Sequence, residues 1–583
     1  MRDSLAGGTL AVLLVLIGAA GLPVAAADHP KVSGEVDRKA SAGGPDDLLP
    51  VIIQTVSDPS AGHFARLHGR GGVVKGRHTS IRGYAARVPA AQIVLLADDP
   101  EIERISFDTP VRAHLDVATR AIRADVARAE FSSLSGKGVG IALVDTGVMS
   151  HVDFQRPKGQ PQVVEVEVVG REPGLMDYYG HGTHVAGILV GNGAASSDNR
   201  SFRTFRGMAP EALLISIRAL QPDGSGNTSD VIAAIDWAIR FKATYNIRVL
   251  NLSLGHPVYE SYAVDPLCRA VRAAHDAGIL VVVAAGNDGG VGSGFGTIGS
   301  PANEPTAVTV GAMDDSNTAA VEDDVVAWYS SKGPTLIDHV VKPDLVAPGT
   351  WIVSTRAPGS YLDTTYHDLA LQYGDYRTDP NNAAKDGDYY TLAGTSMAAP
   401  FVAGTAALMI QKEPLLDPAT VKARLMRSAV KDENLVFETG AGYLDVAAAL
   451  AERGQAGASP SPRSMLAADG YIYLENTGLI WQWLGGGDTF LWSNAAIWGG
   501  GKGATAQCVL TDVPEEILTA YAAIWGGGKA GSTKVDRTSA PIENDQVTAS
   551  GLIWSIYGAL NFSYGSGVDS LAAIWGDSRL RKK

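Results

Sequence analysis

Cysteine is nearly absent from this chain: two residues in 583, Cys268 and Cys508. That scarcity excludes a scaffold stapled by disulfides. Cys268 falls in the helical pattern Pro266-Leu267-Cys268-Arg269-Ala270-Val271 and reads as a small core residue. No zinc-ligand spacing is present, because His181 and His184 lack the Glu and the spacing of a zinc-binding helix. Positive charge is also short. The 48 Lys and Arg stand against 62 Asp and Glu, a formal net charge of −14. Backbone phosphates select basic surfaces, so nucleic acid is excluded as the main partner. Beyond the N-terminus no apolar run reaches the roughly 20 residues of a membrane-crossing helix. With 45% hydrophobic and 19% charged residues the chain is globular rather than disordered. Its length calls for two to four units.

The N-terminal run Thr9 to Ala20 is apolar but short, and Ala25-Ala26-Ala27 follows it. This reads as a secretory signal over residues 1–27, cut near Ala27. The alternative is an N-terminal anchor, which the shortness of the run disfavours. Residues 28 to about 46 are polar and rich in Gly and Asp, a flexible leader by composition. From 48 to 108 the pattern changes. Leu49 to Gln54, Tyr84 to Pro89 and Glu103 to Phe107 read as strands, and Ala90 to Ala97 as a helix. This is a small α+β unit.

From 118 to 453 strands and helices alternate. Gly138 to Val144, Leu213 to Ile217, Val249 to Leu254 and Ile279 to Ala285 are apolar on both faces. Such runs predict a parallel sheet covered by helices, a doubly wound α/β architecture. Asp230 to Lys242 and Pro266 to Ala277 supply helical patterns between them. Residues 454–464, with Ser459-Pro460-Ser461-Pro462, have the composition of a linker. Residues 465–583 hold seven of the ten tryptophans. Ala495 to Lys502 returns as Ala522 to Lys529 and again, shortened, as Ala572 to Gly576. Short strands with tight turns fit these steps, so the tail is read as a β-rich repeat region. Three roles stay open for it: a structural β-module, a module binding a surface or polymer, and a segment removed during maturation. The first is preferred.

Three segments carry chemistry. Val144-Asp145-Thr146-Gly147 closes an apolar strand, His181-Gly182-Thr183-His184-Val185-Ala186-Gly187 follows, and Gly394-Thr395-Ser396-Met397-Ala398-Ala399-Pro400 comes last. A serine hydroxyl needs a base to take its proton, and the base needs an acid to fix its tautomer. Asp145 ends a strand where parallel sheets present ligands. Ser396 opens a helical run, so its N–H lies where negative charge is favoured. The three segments, in this order, closely resemble the signature motifs of subtilisin-family serine peptidases, the subtilases. The resemblance assigns Ser396 as nucleophile, His181 as base and Asp145 as its orienter. It also assigns Asn287, in Ala284-Ala285-Gly286-Asn287-Asp288-Gly289, as side-chain oxyanion donor. His184 reads as structural, and Asp177 receives no catalytic role.

The same resemblance implies an extended substrate strand. Ser253-Leu254-Gly255 lines one side of the primary pocket, Gly224-Ser225-Gly226 flanks the strand on the other side, and Gly299 lies at the floor of that pocket. A glycine there implies preference for large apolar residues before the scissile bond. It further implies that residues 28–117 are a propeptide, cut near residues 110 to 120, that inhibits the enzyme within the same chain; a permanent N-terminal domain is the alternative. Protein or peptide substrates are the expected partners, no transmembrane span is expected in the mature form, and no cofactor is required for the chemistry. Structural calcium is open by family habit alone. Arg356 to Thr391, with Asp375, Asp379, Asp386 and Asp388, reads as a solvated loop; a specificity loop and a carboxylate calcium site are the alternatives. A catalytically silent binding protein on the same scaffold is the competing function, and the intact Asp145, His181, Ser396 and Asn287 argue against it.

Overall fold

The computed structural model describes residues 29–490 and 508–510, apart from 43, 79, 109, 114–118, 156–161, 170–175, 291–293, 317, 319–320, 322, 379–381, 433, 467–471, 476–479 and 483–487. Its centre is an eight-stranded sheet. Across the sheet run Val163–Glu167, Leu213–Arg218, Gly140–Asp145, Ile247–Leu252, Leu280–Ala284 and Val308–Asp314, all parallel to their neighbours. Leu345–Pro348 extends the parallel set, and the two-residue strand Val325–Val326 is antiparallel. Alternate residues face opposite layers. Ile141 and Leu143 pack under His181–Val190 and Thr395–Lys412. Ala142 and Val144 pack under Thr228–Arg240 and Pro266–Asp276. Burial on both faces explains the unbroken apolar runs. After Gly140–Asp145 the chain builds the sheet in one direction. It then crosses back to add Ile247–Leu252 on the other side. A crevice at such a reversal, outside the strands' carboxyl ends, is where doubly wound sheets hold ligands.

Residues 48–107 form a separate four-stranded antiparallel sheet, ordered Val73–His78, Gly83–Pro89, Leu48–Thr55, Ile102–Phe107. The strand Val73–His78 and the helix Ala61–Gly69 were not legible, because neither shows a clean period. The flexible leader is corrected. Gly34–Ala42 is a helix, and Val32 and Val36 are buried in this unit's own core. The unit docks on the larger one through Asp108, which accepts from Ser229 N at 2.7 Å and from Ser229 Oγ at 2.6 Å. Arg104 and Ser106 both bond the buried Glu260.

The solvated-loop reading of Arg356 to Thr391 is also overturned. Ile352–Thr355, Asp386–Leu392 and Ala370–Gln372 form a three-stranded sheet, with a short helix at Tyr361–Thr365. Tyr376, Tyr389 and Leu371 are buried there and pack with Phe205. Its carboxylates are committed locally: Asp363 and Asp386 bond Arg356, Asp375 accepts from Gln372 N, and Asp388 from Tyr376 Oη. Asp379 lies outside the described residues. Among the described residues no three His, Cys, Asp or Glu gather as a metal site. No helix among them is long and apolar enough to cross a membrane.

Composition misled most at 454–464. Ser459 and Ser461 are buried. Ser461 Oγ donates to Asp344 Oδ1 at 2.6 Å, and Ser459 Oγ donates to Ala419 O at 2.8 Å. Asp344 is flanked by the fully buried Lys342 and Lys422, at 2.7 and 2.9 Å. Burial would raise the Asp344 carboxyl, but the two ammonium groups and Ser461 bring it below the usual range. The segment is a docked strap, because a buried carboxylate between two ammoniums needs its remaining lone pairs filled. Beyond it, Arg463–Leu466, Ile472–Glu475 and Cys508–Leu510 form one antiparallel sheet. Gln455–Ala456, Ile480–Gln482 and Asp488–Phe490 form another. The three Ala-Ala-Ile-Trp-Gly copies and the N-terminal signal segment lie outside the described residues. Ser461→Ala is expected to cost about 2 kcal/mol of stability. Urea unfolding of the variant against the parent protein measures it.

Candidate active site

Asp145 is the last residue of its strand and is buried. Its Oδ1 accepts from Thr146 N at 2.7 Å and lies 2.6 Å from His181 Nδ1. An ionised carboxylate can only accept, so Nδ1 carries the proton and Nε2 is left as the basic nitrogen. The contact requires strand end and helix start to touch. A Cβ on Gly182 would sit 2.1 Å from Gly147 O, so only glycine permits that approach.

Asp177 holds the start of the histidine helix, a part that sequence reasoning did not give it. Its Oδ1 accepts from Gly180 N at 2.7 Å and from Thr146 Oγ1 at 2.8 Å. Its Oδ2 accepts from Thr183 N at 2.8 Å and from Thr183 Oγ1 at 2.7 Å. Thr146 Oγ1 in turn accepts from Gly182 N at 2.9 Å. Burial pushes the Asp177 carboxyl above the usual range, and the bonds from Gly180 and Thr183 oppose that shift. The signal was present in the quoted segments: both threonines stand beside the named acid and base.

His184 faces away from the reacting groups. Its Nε2 lies 3.0 Å from Tyr390 O and 3.2 Å from Ile352 O. Burial drives its pKa down to about 3, so the ring is neutral. The 352–392 segment, called the insert below, therefore braces the histidine helix, and Ser354 Oγ and Thr355 Oγ1 add bonds to His184 O and Thr183 O, each of 2.7 Å.

Ser396 is the second residue of the helix Thr395–Lys412, which packs on the histidine helix. Its N–H is one of the four that a helix start leaves without an intrahelical partner. Ser396 Oγ donates to Ser253 O at 3.3 Å, and Ser253 Oγ donates to Ser396 O at 2.7 Å. Asn287 follows the strand Leu280–Ala284. Its Oδ1 accepts from Thr395 N at 2.9 Å and Thr395 Oγ1 at 3.0 Å. Its Nδ2 is buried and has no hydrogen-bond partner among the described residues. A buried amide donor left open is costly unless something fills it. Thr395 thus aims the donor, an orienting part that the Gly-Thr-Ser run held without announcing it.

The substrate-edge residues form two facing strands. Ser225–Asn227 and Leu254–Gly255 lie on either side of Pro110–Ala113, which pairs antiparallel with both. Gly224 precedes the first strand and Ser253 the second. Gly299 lies behind the second, where His256 and Ser300 exchange backbone bonds of 2.9 and 2.7 Å. A Cβ on Gly299 would stand 2.9 Å from His256 O, so close backbone packing asks for glycine there. A cavity of about 720 Å³ lies elsewhere, lined by Asp153, Gly187, Phe205 and Tyr389 among others, with none of Asp145, His181 or Ser396 in its walls.

The Asp145–His181 contact lies at the reversal of a doubly wound sheet, and the helix that Ser396 opens packs on the histidine helix; the known proteins specify the class. Residues 136–442 match the model of the subtilase family, peptidase S8. Serine protease AprX of Bacillus subtilis is 39% identical over 365 residues, covering 61% of this chain and 76% of that protein. Subtilisin E of the same species is 32% identical over 382 residues, covering 65% and 84%. The crystal structure of fervidolysin from Fervidobacterium pennivorans shares the fold, at 22% identity and a TM-score of 0.53, over 70% of this chain and 63% of that one. The chain belongs to the subtilase family and is a serine endopeptidase. Catalysis in this family needs no cofactor.

Asp177→Ala is expected to lower stability by about 3 kcal/mol, since it leaves several buried donors without their charged acceptor. Urea unfolding in a Ser396→Ala background tests this, and Asp177→Asn is expected to recover part of the loss.

Proposed function

We propose that the chain is made as a self-inhibited precursor of a secreted endopeptidase that cleaves through an acyl-enzyme. In this reading His181 Nε2 takes the proton of Ser396 Oγ as the oxygen attacks the scissile carbonyl. Asp145 holds the ring and stabilises the imidazolium that forms. The oxyanion meets the Ser396 N–H and the open Nδ2 of Asn287. His181 then hands its proton to the leaving amine, and water repeats the sequence to free the acid.

One observation carries the precursor reading: residues 110–113 already lie as the middle strand between the two substrate edges. A peptide substrate would bind there by adding the same strand. The small α+β unit over 48–108, within the 28–117 segment, acts as the propeptide that delivers it. Its Asp108 caps the helix Thr228–Arg240 and its Arg104 and Ser106 grip Glu260. Secretion rests on the signal-like run in residues 1–27. Ser253, Leu254 and Gly255 line one side of the substrate, Gly224, Ser225 and Gly226 the other. Gly299 at the pocket floor favours large apolar residues before the cut.

Mass spectrometry of the secreted protein is expected to show a mature N-terminus within residues 110 to 120; an intact 28–117 segment on active enzyme sinks the precursor reading. Asn287→Ala is expected to lower kcat about 10²- to 10³-fold with little change in KM. Steady-state kinetics on a peptide substrate checks it. A peptide library is expected to show large apolar or aromatic residues before the scissile bond, and a dominant Arg or Lys preference overturns that part.

A further inference from the structure

We infer that the 352–392 insert sets selectivity at the second substrate residue before the scissile bond, through a Tyr179 wall that Tyr361 holds in place, and that it favours a small residue there. This rests on the extended-strand reading of the two edges given above.

The position follows from register. Pro110–Ala113 pairs Arg112 with Ser225 on one side and Ala113 with Leu254 on the other. One step past Arg112–Ser225 brings position 113 level with Gly224. One step past Ala113–Leu254 reaches Ser253, whose backbone and hydroxyl both bond Ser396. The substrate residue level with Ser253 is therefore the one presented to Ser396, and the residue level with Leu254 and Gly224 is the one before it.

Gly224 lies beside that second position, one residue outside the Ser225–Asn227 ladder. Tyr179 fills the space against it: a Cβ on Gly224 would stand 2.6 to 2.8 Å from ring atoms of Tyr179. Gly224 has φ +78°, which places it in the left-handed region where glycine is favoured and a side chain is strained. Tyr179 is buried and stands two residues before His181. The wall thus touches the substrate edge on one side and the histidine loop on the other.

The insert fixes that wall. Tyr361 stacks on Tyr179 with ring centroids 5.6 Å apart and planes 7° from parallel. The backbone locks the pair: Tyr361 N donates to Tyr178 O at 2.8 Å and Leu362 N donates to Tyr179 O at 3.0 Å. Tyr390 Oη holds the far side through Leu362 O at 2.8 Å, and Arg356 anchors Asp363 at 2.5 Å. A buried ring stacked on Tyr361 and tied through its own backbone resists swinging aside for a bulky side chain. The chain's own occupant at this level, position 113, is alanine.

The test compares kcat/KM for peptides carrying Ala, Leu or Phe at the second position before the cut, with the residue beside the cut held constant. The matured wild type is expected to favour Ala over Phe by about ten-fold or more. Tyr361→Ala is expected to reduce that ratio several-fold while leaving the ranking of residues directly before the cut unchanged. Tyr361→Phe, which keeps the stacked ring, is expected to retain the Ala preference, and Tyr179→Ala to abolish it. A wild type indifferent to the second position overturns the inference, as does a Tyr361→Ala ratio equal to wild type. Extending the peptides by two residues toward the N-terminus separates the two claims. If cleavage does not improve with length, the extended-strand reading fails and the inference with it. If it improves but the Ala preference is absent, only the inference fails.

Discussion

A carboxylate and an imidazole pressed together out of water, at the end of one strand, is the constraint on which the rest of this molecule depends. Asp145 and His181 are both buried, with 2.6 Å between Oδ1 and Nδ1. Such a contact survives only if the polar groups around it are satisfied and the backbone cannot drift. The surroundings answer both needs. Thr146 and Thr183 route their hydroxyls to Asp177, which ties the helix start to the strand end through four accepted bonds. Behind the helix, the hairpin of the insert receives the carbonyls of Thr183 and His184. The helix carrying the base is therefore held at its start, along its side and through its second histidine.

The serine side is organised differently. There the sheet supplies position and the side chains supply direction. Ser253 closes a reciprocal pair of bonds with Ser396, and Thr395 turns the amide of Asn287. The outcome is a buried amide donor with no hydrogen-bond partner among the described residues. In the proposed reaction such a donor would be filled only as charge develops, which is what differential binding of a transition state asks for.

Much of this could be read from residue order. The strands Gly140–Asp145, Ile247–Leu252 and Leu280–Ala284 are apolar on both faces, and their runs stood out for that reason. Motif glycines and the Gly-Thr-Ser-Met run marked the chemistry because close backbone approach leaves few residue choices. The failures share a cause. The insert was read as solvated because its tyrosines and aspartates look polar one at a time. In the fold they neutralise one another, as Arg356 does for Asp363 and Asp386. The leader's composition predicts flexibility because its helix is mostly polar, yet Val32 and Val36 are buried in the unit's core. Asp177 was passed over since its role lies in whom it accepts from, which no local pattern encodes.

The run Gly454 to Pro462 carries one more consequence. The family match ends at residue 442, and composition would place a joint soon after it. The buried contact of Ser461 with Asp344, between two lysines that never meet solvent, moves the true edge of the catalytic body outward. The serine and proline spacing there is a fitted key rather than a tether. Any exchange of the tryptophan-rich tail for another cargo must keep this key, together with the backbone bonds of Pro462 and Ser464 to Val341 and His339.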